Sequence, residues 1–424
     1  MDSVFDAQFR NMRDAFLARD VDLRVAYRPD GRVDYLYQAD RLLTRASDAR
    51  AVRSNLETVL PGIEPVSTEG TAAAGDTLRG LRMWSIENLR DGLLTVPEAL
   101  DLVDRRLLHV TEDGGTPDPR PQPVATPVHV LHITDVRACP AVEPSVPSGV
   151  PAGPWPPLRP STGRRRITVG VSDTGFLAGA DTDHLWLDGV RGDLDDLGPV
   201  LPGGRRLIPE YTGHGTFIAG VIRSMAPDTD LYVADHFPAS GAWLEHEIVE
   251  SLERLVTRFS PHLISLSAGT YTRNGWEPLS FALFHDRFPD LTLVAAAGNE
   301  STDRPFYPAA SNWAIGVGAL GTDQVHRAWF SNFGPRVDVY ALGEGLVNAY
   351  ATGTYAYQEP PRRPARADFD GMAVWSGTSF ATPLVAGLIA AEMSADEELT
   401  AASAWQALLA RATPVDGVGP ALVL

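Results

Sequence analysis

Ser379 sits in the stretch Gly377-Thr378-Ser379-Phe380-Ala381-Thr382-Pro383, ahead of a long apolar run through Leu384, Val385, Ala386, Leu388 and Ile389. Read locally, Gly377-Thr378 is a tight turn and Ser379 opens a helix. The first amides of a helix have no partner within it and carry partial positive charge, so they hold anions. A serine there exposes its hydroxyl and aims its own N–H at any negative oxygen formed beside it. Pro383 reads as a first-turn proline, where no donor is needed. Taken alone, the bland alternative is an N-cap serine.

A serine is a weak nucleophile without a positioned base. The chain contains no lysine, its basic residues being arginine and histidine. A Ser–Lys dyad, a lysine Schiff base and a lysine-bearing phosphate loop are therefore excluded, and the base must be histidine. Gly213-His214-Gly215-Thr216-Phe217-Ile218 places a histidine at the start of a second apolar helix. Ile167-Thr168-Val169-Gly170-Val171-Ser172-Asp173-Thr174-Gly175 reads as a buried strand ending in an acid and a glycine turn. Leu293-Val294-Ala295-Ala296-Ala297-Gly298-Asn299 is a strand ending on an amide side chain. A single Asp-Thr-Gly also marks aspartic proteases, but that site needs two copies and the chain has one.

These four stretches, in the order Asp173, His214, Asn299, Ser379, resemble the subtilisin family of serine proteases. The resemblance covers roughly residues 165–412. It implies that His214 takes the Ser379 proton, that Asp173 fixes the imidazole tautomer, and that Asn299 and the Ser379 N–H hold the oxyanion. It further implies that Ser267-Ala268-Gly269 and Ser240-Gly241 are two edges that take an extended peptide between them as an added strand. Ala297 and Gly298 fall in the same substrate-binding set. Tyr307-Pro308-Ala309 matches the loop closing the first specificity pocket. Phe306 precedes it where relatives often carry glycine, and is expected to narrow that pocket toward small or medium residues. Phe217 stands where the family usually has a second histidine. Between Gly220 and Ala226 the chain lacks the insertion that carries a calcium loop in secreted relatives. Asp181 and Asp183, near another family calcium position, read as solvated loop acids. No metal and no cofactor is expected. His246-Glu247 lacks the second histidine of a zinc-protease motif.

Elements that would position these residues follow from periodicity. From Ile167 onward, near-continuous apolar strands alternate with helices, the pattern of a parallel sheet covered on both faces. Ligands of such sheets bind at the carboxyl ends of the strands, where Asp173, Ser267 and Asn299 lie. The expected fold class is α/β, a three-layer parallel sheet flanked by helices, preceded by a small α+β domain. The latter reads as an amphipathic helix over residues 1–20, strands either side of Pro29-Asp30-Gly31, a helix from Asp48 to Leu60, a strand at Leu81–Ile86, a helix from Thr95 with a capping box to Glu98, and a strand from Pro127 to Thr134. Residues 139–165 are studded with proline and read as a semi-rigid extended linker. The expected domains are thus 1–138, a pro-domain or permanent accessory domain in contact with the rest; the linker 139–165; and the catalytic domain 166–424.

Composition narrows the partners. A formal net charge of −18 argues against nucleic acid and anionic membranes. No stretch reaches the ~18 apolar residues of a membrane span. One cysteine, Cys139, allows no internal disulfide. Residues 1–25 lack the apolar core of a signal peptide, so the expected location is the cytoplasm, with export by another route left open. The expected activity is endopeptidase action on protein or peptide, as a dedicated intracellular processing enzyme. The alternatives are a silent peptide-binding pseudoprotease and an esterase or peptide ligase on the same scaffold.

Overall fold

A computed structural model describes residues 3–59, 66–67, 80–86, 94–107, 123–133, 142–149, 158–161, 165–237, 240–359 and 361–424. Cys139 and Thr134 lie outside the described residues. The larger sheet has nine strands in the order Thr413–Val415, Gly419–Leu422, Val339–Leu342, Ala314–Leu320, Thr292–Ala296, Leu263–Leu266, Thr168–Asp173, Asp230–Asp235 and Arg191–Gly192. All neighbours are parallel except the Thr413–Val415/Gly419–Leu422 pair. The central strands are buried along almost their whole length, as their unbroken apolar sequences require.

Two helices, His214–Met225 and Thr378–Ala395, cover one face and merge with it into one apolar core around Phe217, Phe380 and Trp375. They approach closely at Gly387. A Cβ there would lie 2.7 Å from the Met225 Cβ and 3.0 Å from the Ile222 carbonyl oxygen. The other face carries the helices Glu245–Phe259 and Leu279–Arg287.

The N-terminal elements follow the expected order: the helix Ser3–Leu17, strands Leu23–Tyr27 and Val33–Arg45, helix Ala49–Val59, strand Leu81–Ser85, helix Val96–Leu107 and strand Ala125–His132. The Thr95–Glu98 capping box is formed, with Glu98 Oε2 accepting from the Thr95 N–H at 2.7 Å. With the short strand Val66–Ser67, these strands form a six-stranded sheet, one edge of which is Ala242–Leu244, from the second half of the chain. Leu244 ends this strand and is also the N-cap of the helix Glu245–Phe259. Phe16, Leu131 and Val130 share one apolar cluster with Leu252, Phe281 and Leu293, so the small sheet packs on the Glu245–Phe259 and Leu279–Arg287 helices.

Two features depart from the sequence reading. A long antiparallel hairpin, Leu346–Ala356 with Arg366–Trp375, leads into the Ser379 helix. The proline-rich stretch is docked over its described part: Ser145 bridges Val374, and the Trp375 indole N–H donates to the Val142 carbonyl at 2.8 Å. Among the described residues no helix is long and apolar enough to cross a membrane, and no cluster of three or more His, Cys, Asp or Glu is arranged to hold a metal.

The Gly387 contact yields a first prediction. Gly387→Val forces the two covering helices apart, and overpacking of this kind costs about 1–3 kcal/mol. Chemical denaturation should show a lower midpoint; an unchanged midpoint would mean the helices part freely.

Candidate active site

Asp173 ends its strand on the carboxyl edge of the sheet, as the pattern of the Thr168–Asp173 run requires. His214 opens its helix after Gly213, whose φ of +87° suits glycine. The His214 Nδ1 lies 2.7 Å from Asp173 Oδ1, and neither side chain is exposed. The same oxygen accepts from the Thr174 N–H at 2.9 Å. With Nδ1–H given to the carboxylate, Nε2 is the basic nitrogen. That Nε2 is buried and has no hydrogen-bond partner among the described residues.

The stretch bearing Ser379 brackets this imidazole. Trp375 meets the His214 ring edge-on at 5.3 Å between centroids, and Phe380 lies at 5.2 Å. The helix begins at Thr378, so Ser379 is its second residue and Pro383 stands in the second turn, not the first. Proline has no N–H to offer the carbonyl four residues back, which is that of Ser379. Ser267 supplies the missing donor: its hydroxyl reaches the Ser379 carbonyl at 2.8 Å. The proline thus frees a carbonyl, and the neighbouring strand end takes it.

Asn299 is fixed through its amide oxygen, which accepts from the Thr378 N–H and the Thr378 hydroxyl, both at 2.9 Å. An amide held this way turns its NH2 to the other side. Ser267, Ala268, Gly298, Asn299, Phe306 and Ser379 line one small cavity with His132 and Ile133 of the N-terminal segment. Its free space is about 10 Å3, the room of a single water at most. Phe306 accounts for this. Its ring packs between two glycines: a Cβ on Gly269 would lie 2.4 Å from Phe306 Cε1, and one on Gly298 3.1 Å from Cγ. Ala297 sits outside the cavity, its carbonyl accepting from Asn332 Nδ2 at 2.7 Å.

The two expected edges are occupied by the chain itself. His132 exchanges both backbone hydrogen bonds with Gly269 at 3.1 Å, and the Ile133 N–H donates to the Gly241 carbonyl at 2.9 Å. Leu131 and Val130 continue in antiparallel register opposite Trp243 and Leu244. The Ser240 hydroxyl donates to the Asn11 carbonyl at 3.4 Å. Sequence reasoning placed both edges but not the strand between them.

Residues 164–422 match the family described as Peptidase_S8, the subtilase family. The chain belongs to the subtilase family, the subtilisin-type serine endopeptidases. It is 29% identical over 302 residues to a protein of Paenibacillus polymyxa named an intracellular serine protease, covering 64% of this chain and 81% of that one. It is 30% identical over 250 residues to an extracellular serine proteinase of a Thermus species, covering 58% of this chain and 54% of that one. The chain spans about half the length of that and several further relatives. A crystal structure of fervidolysin from Fervidobacterium pennivorans has the same fold over 92% of this subtilase and 60% of its own chain, with a TM-score of 0.56 at 16% identity.

Removing the Ser267 hydroxyl tests the proline argument. Ser267→Ala leaves the Ser379 carbonyl without its donor, and a buried unsatisfied acceptor costs about 1–3 kcal/mol. Urea unfolding should register that loss; none would mean another donor moves in.

Proposed function

We propose that this subtilase hydrolyses peptide bonds with Ser379 as nucleophile, His214 as base and Asp173 as the anchor of the imidazole. The observation that carries the reading is the buried 2.7 Å Asp173–His214 bond, with Nε2, unpartnered among the described residues, beside the helix that carries Ser379. On this reading Ser379 Oγ attacks the scissile carbonyl while its proton passes to His214 Nε2. The developing oxyanion takes hydrogen bonds from Asn299 Nδ2 and the Ser379 N–H. His214 then gives its proton to the leaving amine, and water repeats the sequence on the acyl-enzyme. The Ser379–His214 contact of such sites often closes only when substrate is seated.

The N-terminal domain takes the part of a built-in inhibitor. Its strand lies between Gly241 and Gly269 as an extended substrate would. A self-made cut belongs after this strand, which ends at His132. The lone cysteine and the name of the Paenibacillus relative support a cytoplasmic location. Calcium has no part in this reading.

A fluorophosphonate probe should label Ser379 in the wild-type chain and not in Ser379→Ala or His214→Ala; an unlabelled wild type would favour a peptide-binding module. Mass spectrometry should find wild type cut after the strand that ends at His132 and Ser379→Ala intact, whereas an intact wild type makes the domain a permanent accessory. Peptide libraries should prefer small or medium residues before the cut, with Phe306→Gly admitting aromatics. A wild-type preference for large aromatics would reject the role given to Phe306.

A further inference from the structure

Asp195 is a buried acid that the chemistry above does not use. It ends the short strand Leu194–Asp195, paired in parallel with Phe176–Leu177 just past Asp173. Its Oδ2 accepts from the Gly213 N–H at 2.7 Å and from the Thr174 hydroxyl at 3.2 Å. The Thr174 oxygen in turn accepts from the Gly215 N–H at 3.1 Å. One carboxylate and one hydroxyl therefore hold the backbone on both sides of His214. The Thr174 N–H adds the tie to Asp173 Oδ1. There is no slack at this point: a Cβ on Gly215 would lie 2.3 Å from the Gly175 carbonyl oxygen.

Resting on the triad reading above, we propose that Asp195 is a positioning residue, which through Gly213 and Thr174 sets where the His214 imidazole stands against Asp173 and Ser379. Its protonation changes the pattern of bonds. Ionised, it accepts from both Gly213 and Thr174. Protonated on Oδ2, it faces the Thr174 hydroxyl with a hydrogen of its own, and Thr174 must turn to accept. Burial pushes this carboxyl up to about 7, the nearby Asp173 charge adds to the rise, and the bonds from Gly213, Thr174 and Thr212 oppose it. The segments packed here also carry His214 and, on the loop before Gly213, Tyr211 and Glu210, whose carboxyl burial pushes up. Asp193, two residues back, is engaged elsewhere, by the Tyr232 hydroxyl and the Asp235 N–H. The two bond patterns thus exchange near neutral pH, beside the His214 imidazole.

The test compares wild type, Asp195→Asn, Asp195→Ala and Thr174→Val as full chains. The readouts are kcat and KM across pH 5–9, the rate of Ser379 labelling, and the downfield NMR resonance of the His214 Nδ1 proton. Displacement of a catalytic group by about 1 Å can cost 10²-fold, so Asp195→Ala should lose roughly tenfold to a hundredfold in kcat with KM little changed. Asp195→Asn, the neutral isostere, should keep more activity and lose one ionisation from the pH profile. In each variant the His214 resonance should move. Wild-type kcat, pH profile and resonance in all three variants would overturn the proposal. A wild type that is never labelled, with the resonance still moving in the variants, would instead sink the triad reading and leave the positioning role standing.

Discussion

The hydrogen bond between Asp173 and His214 is the constraint around which the large domain is arranged. Both groups are fully buried, and a carboxylate taken out of water is costly unless its partners are held in place. Only Oδ1 is satisfied here, by the imidazole and the Thr174 N–H, while Oδ2 is buried without a partner. Such an arrangement persists only where the scaffold leaves the groups nowhere else to go. The parallel register of Thr168–Asp173 against Leu263–Leu266 and Asp230–Asp235 fixes the acid. The close contact of the two covering helices fixes the histidine relative to the Ser379 turn.

The same reasoning applies across the N-terminal interface, where polar groups are again buried in pairs. His129 Nδ1 and its own N–H both reach Glu245 Oε1, and the Ser280 hydroxyl reaches Oε2. Burial pushes the Glu245 carboxyl up, but these bonds outweigh it and hold the net shift below the usual range. His129 Nε2 accepts from the Arg273 N–H at 3.2 Å, while the Arg273 guanidinium pairs with Asp101 and Asp104. Pulling the domain away would expose the apolar cluster around Phe16 and Leu131 and strand these charges at once. Glu143 makes a second attachment: its buried carboxylate accepts from the Gln358 N–H at 2.7 Å, at the end of the long hairpin.

Much of this was legible in the sequence because it is local. The strand that ends in Asp173, the apolar helices behind His214 and Ser379, and the Thr95–Glu98 cap each announce themselves within a dozen residues. Features that depend on distant pairing did not. Ala242–Leu244 is too short for period-two alternation to mark it, and it becomes a strand only because Val130–His132 lies alongside. The hairpin Leu346–Ala356 with Arg366–Trp375 lacks a tight-turn signal, its ends being joined by a loop of nine residues. Pro383 was misplaced by one turn because the helix start depends on Asn299 capping Thr378, a contact across 79 positions. Proline spacing in residues 139–165 was silent on where residues 142–149, the first described part of that stretch, dock.

One geometric fact then governs when the site can work. Gly241 and Gly269 each present one set of backbone groups toward the cleft, and His132 and Ile133 use them. On the proposed reading, an extended peptide entering as a strand would need those same groups, and substrate and N-terminal strand would exclude each other. The resident strand is covalently attached and sits at the high effective concentration of a short tether. A free peptide must therefore compete with a partner that never diffuses away. Cutting the tether alone does not remove it, because the shared apolar cluster and the His129–Glu245 pair still hold the domain in place. Access depends on loosening that interface, and the rate at which the interface opens sets the rate at which a proposed triad behind it meets any other chain.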